Sequence, residues 1–337
     1  MPPRVLTGIK PTGTPHIGNL LGAIRPALEL ANQGLEAMYF IADYHALTTV
    51  HPPDYKPDDL RQLTYEVAAT WLAAGLDPER TLFYRQSDIP EIFELAWVFS
   101  CFTSKGWANK SHAYKDHVAK AQEAGETDVD AGINMGVYSY PILMAADIVA
   151  FDVDLVPVGK DQQQHVEIAR DIAQRINHAY GKDVLKLPKA KIDDNTAVVP
   201  GIDGKKMSKS YGNVIPIFAS PKQMKKAVNQ IVTDSLPPET PKDPDASTIF
   251  AIYKAIATPD ETRELADRYR AGIGWGDAKK ALLDRIEAEV GAARTRYDEL
   301  MADTAKIDAL LAKGAEKARV TARATLDRVR KAIGISR

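Results

Sequence analysis

Cysteine is almost absent: Cys101 is the single one in 337 residues. An internal disulfide framework is thereby excluded, and so is every CxxC metal or redox motif. No apolar run reaches bilayer length; the longest candidate, residues 142–151, is interrupted by Asp147. The start, Met-Pro-Pro-Arg-Val-Leu-Thr-Gly, lacks the charged head and apolar stretch of a secretory signal, so a cytoplasmic compartment without membrane contact is expected. Charge of one sign is also missing: 43 Lys and Arg stand against 45 Asp and Glu, a net −2, so a nucleic-acid partner would have to be met by local patches. No internal repeat or low-complexity tract occurs. What remains is an ordinary enzyme-like composition, 45% hydrophobic and 26% charged. A chain of 337 residues is long for one core, and two domains are expected.

Short apolar runs at 5–9, 37–42, 81–86 and 154–158 read as strands, and helical spacing fills the intervals. Leu20, Leu21, Ile24, Ala27, Leu28 and Ala31 recur at helical intervals, with Pro26 expected to bend that helix or loosen one turn. A second helix is expected over 58–74, closed by Gly75. This alternation predicts an α/β fold with a parallel sheet covered on both faces and ligands at the carboxyl ends of its strands. The pattern changes near Pro216. The proline-rich, acidic stretch 233–247 reads as an exposed loop or linker, and from Thr248 onward helical spacing dominates. The boundaries that follow are 1–215 for the α/β domain and 216–337 for an all-helical one, its last helix a candidate to pack back. That helix carries a stripe from Ile307 through Leu311, Ala315, Ala318, Ala322, Leu326 and Val329 to Ile333. Residues 311–337 hold eight Lys or Arg against two acidic residues, a surplus of 8 − 2 = +6. It reads equally as a solvated helix face and as contact with an RNA backbone.

Two motifs carry the chemistry. Pro15-His16-Ile17-Gly18-Asn19 lies between a strand and a helix, where free backbone N–H groups and the helix N-terminus favour phosphate. Gly18 permits close approach of a nucleotide to the backbone, and the His16 imidazole can donate to a developing phosphoryl charge. Far downstream, Gly204-Lys205-Lys206-Met207-Ser208-Lys209-Ser210 places three lysines among small hydroxylated residues, a segment able to wrap a polyphosphate. Alone, the first is equally a capped turn and the second a solvated basic loop. Between them, Tyr140-Pro-Ile-Leu-Met-Ala-Ala-Asp147-Ile is apolar but for one carboxylate, which suits a buried helix with a paired aspartate or a pocket for one N–H or O–H donor. Val156-Pro-Val-Gly159-Lys160-Asp161-Gln162 falls at a strand-to-helix junction, with Asp161 also a plausible helix cap.

Together, 190 residues apart (206 − 16), the two motifs resemble the HIGH and KMSKS signatures of the class I aminoacyl-tRNA synthetases, with Asn19 in place of the second histidine. Met-Ala-Ala-Asp-Ile and Val-Pro-Val-Gly-Lys-Asp-Gln are similar to the tryptophan-specific branch of that family. The resemblance spans nearly the whole chain and implies a Rossmann-type catalytic domain followed by a helical anticodon-binding domain. It implies His16, Lys206 and Lys209 as catalytic groups. ATP would be held by Lys10, Pro11, Thr12, Gly18, Asn19, Gly159, Lys160, Asp161 and the loop Lys206, Met207, Ser208, Lys209 and Ser210. Tryptophan would be held by Asp147, accepting the indole N–H, with Met144, Val156, Val158, Leu6, His45 and Gln162; Asp43 would line the same cavity. Lys10, where many bacterial relatives have glutamine, and Tyr211, where an aspartate is common, depart from the pattern.

The implied reaction has two steps. The tryptophan carboxylate attacks the α-phosphorus of ATP, and a ribose hydroxyl at the 3′ end of tRNA(Trp) then attacks the mixed anhydride. No side-chain nucleophile is needed; catalysis is positioning and charge stabilisation. Mg²⁺ is expected to ride on the phosphates, without a protein metal site. The resemblance further implies a homodimer with tRNA lying across both subunits. Lys105, Lys110, Lys115 and Lys120 are candidates for its acceptor stem or one solvated helix face.

Overall fold

The computed structural model describes residues 2–181, 183–192 and 199–335; the side chains of Ala113, Asp161 and Ser210 lie outside the described residues. Five strands form one parallel sheet in the order β3-β2-β1-β4-β5: β1 (Arg4–Ile9), β2 (Glu36–Ile41), β3 (Leu82–Arg85), β4 (Leu155–Val158) and β5 (Lys189–Ile192). The first four are those read from the sequence. β5, Lys-Ala-Lys-Ile, was not, because its four residues carry little apolar signal and two lysines. It pairs with β4 from Leu155↔Lys189 to Val158↔Ile192.

Period-two alternation sends the side chains of β2 into two cores. Ala37, Tyr39 and Ile41 pack on one face with the helices Arg25–Ala31 and Pro57–Ala73. Met38 and Phe40 pack on the other with the helices Glu91–Cys101, Met135–Val149 and Gln163–Tyr180. The helix after β1 is loosened, as Pro26 predicted. Its residues Leu20–Ile24 form a π turn between the short α-helix Ile17–Asn19 and Arg25–Ala31, with the proline in the first turn of the latter.

After residue 216 the described chain is helical, with Pro221–Asn229, Thr248–Ile256, Pro259–Ala271, Trp275–Ala302 and Thr304–Ile333. The proline-rich stretch before them is a loop, but not simply an exposed one. Lys242 is buried; its Nζ donates to the carbonyls of Pro237 (2.7 Å) and Thr240 (3.0 Å), and it lies 5.4 Å from the Trp275 ring centre. These carbonyls, with that of Pro238 at 3.4 Å, and an aromatic face thus replace water around the ammonium, fastening the loop to the helix Trp275–Ala302.

The closing helix Thr304–Ile333 returns to the sheet and lies along β3, its edge strand, covering an edge that would otherwise be open to pairing. Ile307 and Leu311 join the first core, and Ala315, Ala318, Ala322, Leu326 and Val329 the second. Gly314 sits at the crossing between them, where a Cβ would overlap the carbonyl oxygen of Phe83. Five of the basic residues of this helix form ion pairs with acidic groups of the α/β portion. Arg319 and Arg323 both reach Glu91 (2.9 and 3.0 Å), Arg328 reaches Asp152 (2.5 Å), Arg330 reaches Glu94 (2.5 Å) and Lys313 reaches Glu79 (2.7 Å). These pairs give the basic residues acidic partners within the chain, while Lys313, Arg323, Arg328 and Arg330 keep 39–59% of their side-chain surface accessible.

Gly314→Ala should lower stability by about 1–3 kcal/mol through overpacking against the β3 backbone. Gly291→Ala, in the interior of Trp275–Ala302 with open space around it, should raise stability by about 0.5–1 kcal/mol. Denaturant unfolding of the two variants checks both signs.

Candidate active site

The sheet order puts β1 beside β4, and their connections leave in opposite directions along the sheet. A crevice opens there, outside the carboxyl ends of the strands, as doubly wound folds require. It widens into a cavity of about 790 Å³. Its walls include Leu6, His45, Met144, Val156, Val158 and Gln162, with Asp147 among them. Every side chain assigned to tryptophan from the sequence therefore meets in one space, together with Lys10 and Gly159. Asp43 does not line it; its carboxylate instead accepts from the Ser87 N–H (3.1 Å) and hydroxyl (2.5 Å).

Asp147 is 1% exposed, on the inner face of the helix Met135–Val149. His45 Nε2 donates to Oδ2 at 2.8 Å, and Gln86 Nε2 lies 2.8 and 2.9 Å from Oδ1 and Oδ2. Burial raises its pKa, and the bonds from His45 and Gln86 oppose that rise by stabilising the anion. Gln86, fully buried at the end of β3, also accepts the His45 backbone N–H through Oε1 at 3.3 Å. Sequence reading missed Gln86. Its only signal was a polar residue directly after an apolar strand, which resembles any strand end. Tyr140 was missed as well: it lines the cavity, and its hydroxyl and His165 Nε2 share a hydrogen bond of 2.6 Å.

The phosphate turn follows Lys10, which lines this cavity. His16 occupies the N-cap position, and the Asn19 side chain accepts from its backbone N–H at 3.1 Å. A Cβ on Gly18 would stand 3.0 Å from His16 Nδ1 and 3.4 Å from Met207 Sδ, so the glycine first makes room for the imidazole. His16 is buried, and its Nδ1 has no hydrogen-bond partner. Burial, reinforced by the Lys209 charge, lowers its pKa to about 4, so the ring is neutral near pH 7.

The two motifs, distant in sequence, are joined by main chain. Ile17 N–H donates to Ile215 (3.0 Å), and Ile217 N–H donates to Pro15 (3.2 Å). Lys209 Nζ donates to the Gly13 carbonyl, bringing the lysine loop over the turn; burial lowers its pKa, with Glu66 opposing. Met207 is buried with Ile17 and Leu20, so its side chain anchors the loop from below. Lys206 is exposed, and its backbone bridges to Pro200. Asn213 holds the loop's shape: its Oδ1 accepts from Ser208 N–H at 2.8 Å, and its Nδ2 donates to Asp203 at 2.7 Å. Pro11 is buried and Thr12 half-buried in the turn after β1, and Lys160 opens the short helix Lys160–Gln162 after β4. Of the nucleotide assignments, those on Asp161 and Ser210 fall on side chains outside the described residues. Lys10 donates to Thr48 at 3.3 Å, and Tyr211 is exposed.

This arrangement, an apolar cavity with one buried carboxylate and a phosphate turn joined to a lysine loop, coincides with a known family. A model described as class I tRNA synthetases (W and Y) matches residues 1–291. The chain belongs to that family. Among curated relatives, the tryptophan--tRNA ligase of Neisseria meningitidis is 52% identical over 98% of both chains. That of Pseudomonas putida is 49% identical over 99% of this chain and 74% of its own. The class I fold is shared with the tryptophanyl-tRNA synthetase of Campylobacter jejuni complexed with ADP and tryptophan, at a TM-score of 0.89 and 42% identity, covering 98% of this chain and 99% of that one. A tyrosyl-tRNA synthetase from Archaeoglobus fulgidus, 20% identical over 88% of this chain and 90% of its own, has the same fold at a TM-score of 0.59.

For this class I enzyme, NMR of the histidine ring protons should show His16 titrating near pH 4, not near the ordinary 6.5. The sign of the linked stability follows. Above 6.5 neither folded nor unfolded His16 is protonated, and between 6.5 and 4 only the unfolded chain gains the proton. Stability should therefore fall across that window and fall less in His16→Gln, as unfolding measured at stepped pH will report.

Proposed function

We propose that the protein activates L-tryptophan with ATP and transfers it to tRNA(Trp), the tryptophan--tRNA ligase reaction. Asp147 carries this reading. An ionised acceptor among Met144, Val156 and Val158 satisfies one donor on an otherwise apolar ring, as an indole N–H requires. An aromatic amino acid lacking that donor would add no hydrogen bond to the carboxylate while displacing water from it.

With the indole at Asp147, the amino-acid head group would lie toward Tyr140 and Gln162, and the carboxylate toward the turn at His16. There the α-phosphorus of ATP would be attacked and pyrophosphate expelled. His16, neutral and with a free ring nitrogen, can donate to the phosphoryl oxygens, while Lys209 and Lys206 supply positive charge. The adenosine part would sit by Gly18, Gly159 and the 160–162 turn. Among the described residues no three His, Cys, Asp or Glu side chains cluster to hold a metal. Mg²⁺ would be carried by the negative oxygens of the phosphates themselves and would there neutralise charge on the leaving pyrophosphate.

The helical portion beyond residue 215 would meet the tRNA anticodon, and the closing helix belongs functionally with the sheet it covers. A second copy of the chain is the partner that suits the helix Glu91–Cys101. Trp97 there is 72% exposed, one turn from Phe93, whose ring packs on Tyr44 at 4.4 Å. No described helix is long and apolar enough to cross a membrane, in keeping with a cytoplasmic enzyme.

Amino-acid-dependent ATP–pyrophosphate exchange tests the reading: tryptophan should drive exchange, and exchange driven by tyrosine alone would sink it. Asp147→Asn, which places a donor against the indole N–H, should lower kcat/KM for tryptophan by roughly 10²-fold or more. Lys209→Ala should slow exchange by about 10²-fold while tryptophan affinity, measured by equilibrium dialysis, stays nearly unchanged.

A further inference from the structure

Three side chains of the short turn after β3 are each pinned to a different part of the molecule. Arg85, the last residue of β3, extends Nη1 to Asp308 of the closing helix at 2.8 Å. The other oxygen of Asp308 accepts from the Tyr65 hydroxyl at 2.9 Å. Gln86 points the opposite way, to Asp147. Ser87 holds Asp43 beyond β2. Asp88 closes the turn on Arg85 Nε at 3.0 Å. Three consecutive side chains, the first braced by Asp88, thus connect the closing helix, the start of the helix Asp43–Ala46 and the base of the amino-acid cavity.

The closing helix is also seated on β3 without side chains between them, because Gly314 meets the Phe83 backbone. A shift of that helix therefore has two routes into β3, one steric at Phe83 and one ionic at Arg85. Both end at the strand that presents Gln86. The helix begins at Thr304, directly after Trp275–Ala302, so its first turns inherit the position of the outer helices.

We propose that Arg85, Asp308 and Tyr65 are positioning residues for the amino-acid site, setting Gln86 against Asp147 according to where the closing helix lies. This inference rests on the assignment of Asp147 to the tryptophan side chain. The ion pair is half-exposed, with side chains 23% and 42% accessible. Its contribution to overall stability is accordingly small, which separates a positioning role from a structural one. Gln86 Nε2 touches both oxygens of a buried anion, and a few tenths of an ångström there change how much negative charge the carboxylate presents to a ligand N–H.

The test compares full-length Asp308→Ala and Tyr65→Phe with Arg330→Ala, which removes another ion pair of the same helix, to Glu94. In tryptophan-dependent pyrophosphate exchange, Asp308→Ala should raise KM for tryptophan by roughly three- to ten-fold, and Tyr65→Phe by a smaller factor in the same direction. KM for ATP and the saturating rate should stay within about twofold, as should all three parameters of Arg330→Ala. Equal shifts in Asp308→Ala and Arg330→Ala would reduce the effect to general loosening of the helix and overturn the proposal. Unchanged tryptophan KM in Asp308→Ala beside an active wild type would overturn it alone. A wild type that shows no tryptophan-dependent exchange would overturn the functional reading, and this inference with it.

Discussion

Asp147 is an anion enclosed by methyl and thioether groups, and an isolated carboxylate in such surroundings costs several kcal/mol. Two donors, His45 Nε2 and the Gln86 amide, offset part of that cost. Those donors come from the carboxyl ends of β2 and β3, whereas the acceptor comes from the helix Met135–Val149. The parallel sheet has to bring three separate chain segments to one point before the charge is tolerable. Its order, with β1 beside β4, then leaves an opening over that point. The cavity and the buried charge are consequences of the same topology.

The phosphate side is organised differently. Its stability comes from main-chain hydrogen bonds between residues 15–17 and 215–217 and from Met207 sunk into the first core. The charged groups are left on a framework that does not depend on them. His16 remains neutral, with a ring nitrogen unsatisfied, and Lys209 reaches only a backbone carbonyl. A site whose polar atoms are unsatisfied without phosphate has the most to gain from binding it. The amino-acid pocket is prepared by satisfying its central charge, whereas at the phosphate turn the His16 ring nitrogen is left without a partner.

Much of the site was legible in the sequence because its residues lie in short, distinctive strings. The His-Ile-Gly-Asn turn, the lysine loop and the lone aspartate in an apolar helix each have a local chemical reason. Strands β1 to β4 were legible for a similar reason: each is an apolar run bounded by turn residues. β5 was not, since a strand of four residues with two lysines takes its identity from pairing with β4. Gln86 and Tyr140 were not legible because no local pattern distinguishes a polar residue aimed at a cavity from one aimed at water. Gly18 was read as space for a nucleotide, whereas the nearest atom it spares belongs to His16.

The basic C-terminal stretch marks the same boundary most plainly. Composition established a surplus of +6 over residues 311–337 and an apolar stripe every three to four residues. It could not say what the charges would face, because Glu79, Glu91, Glu94 and Asp152 lie more than 150 positions away. Folding brings them beside the helix, where they form ion pairs with its basic residues. Periodicity, turn chemistry and motif spacing are local, and the sequence by itself determined the element types, the α/β class and the kind of chemistry. Which groups are buried together, and which charges find partners, depends on contacts across hundreds of residues, and only the tertiary structure decided those.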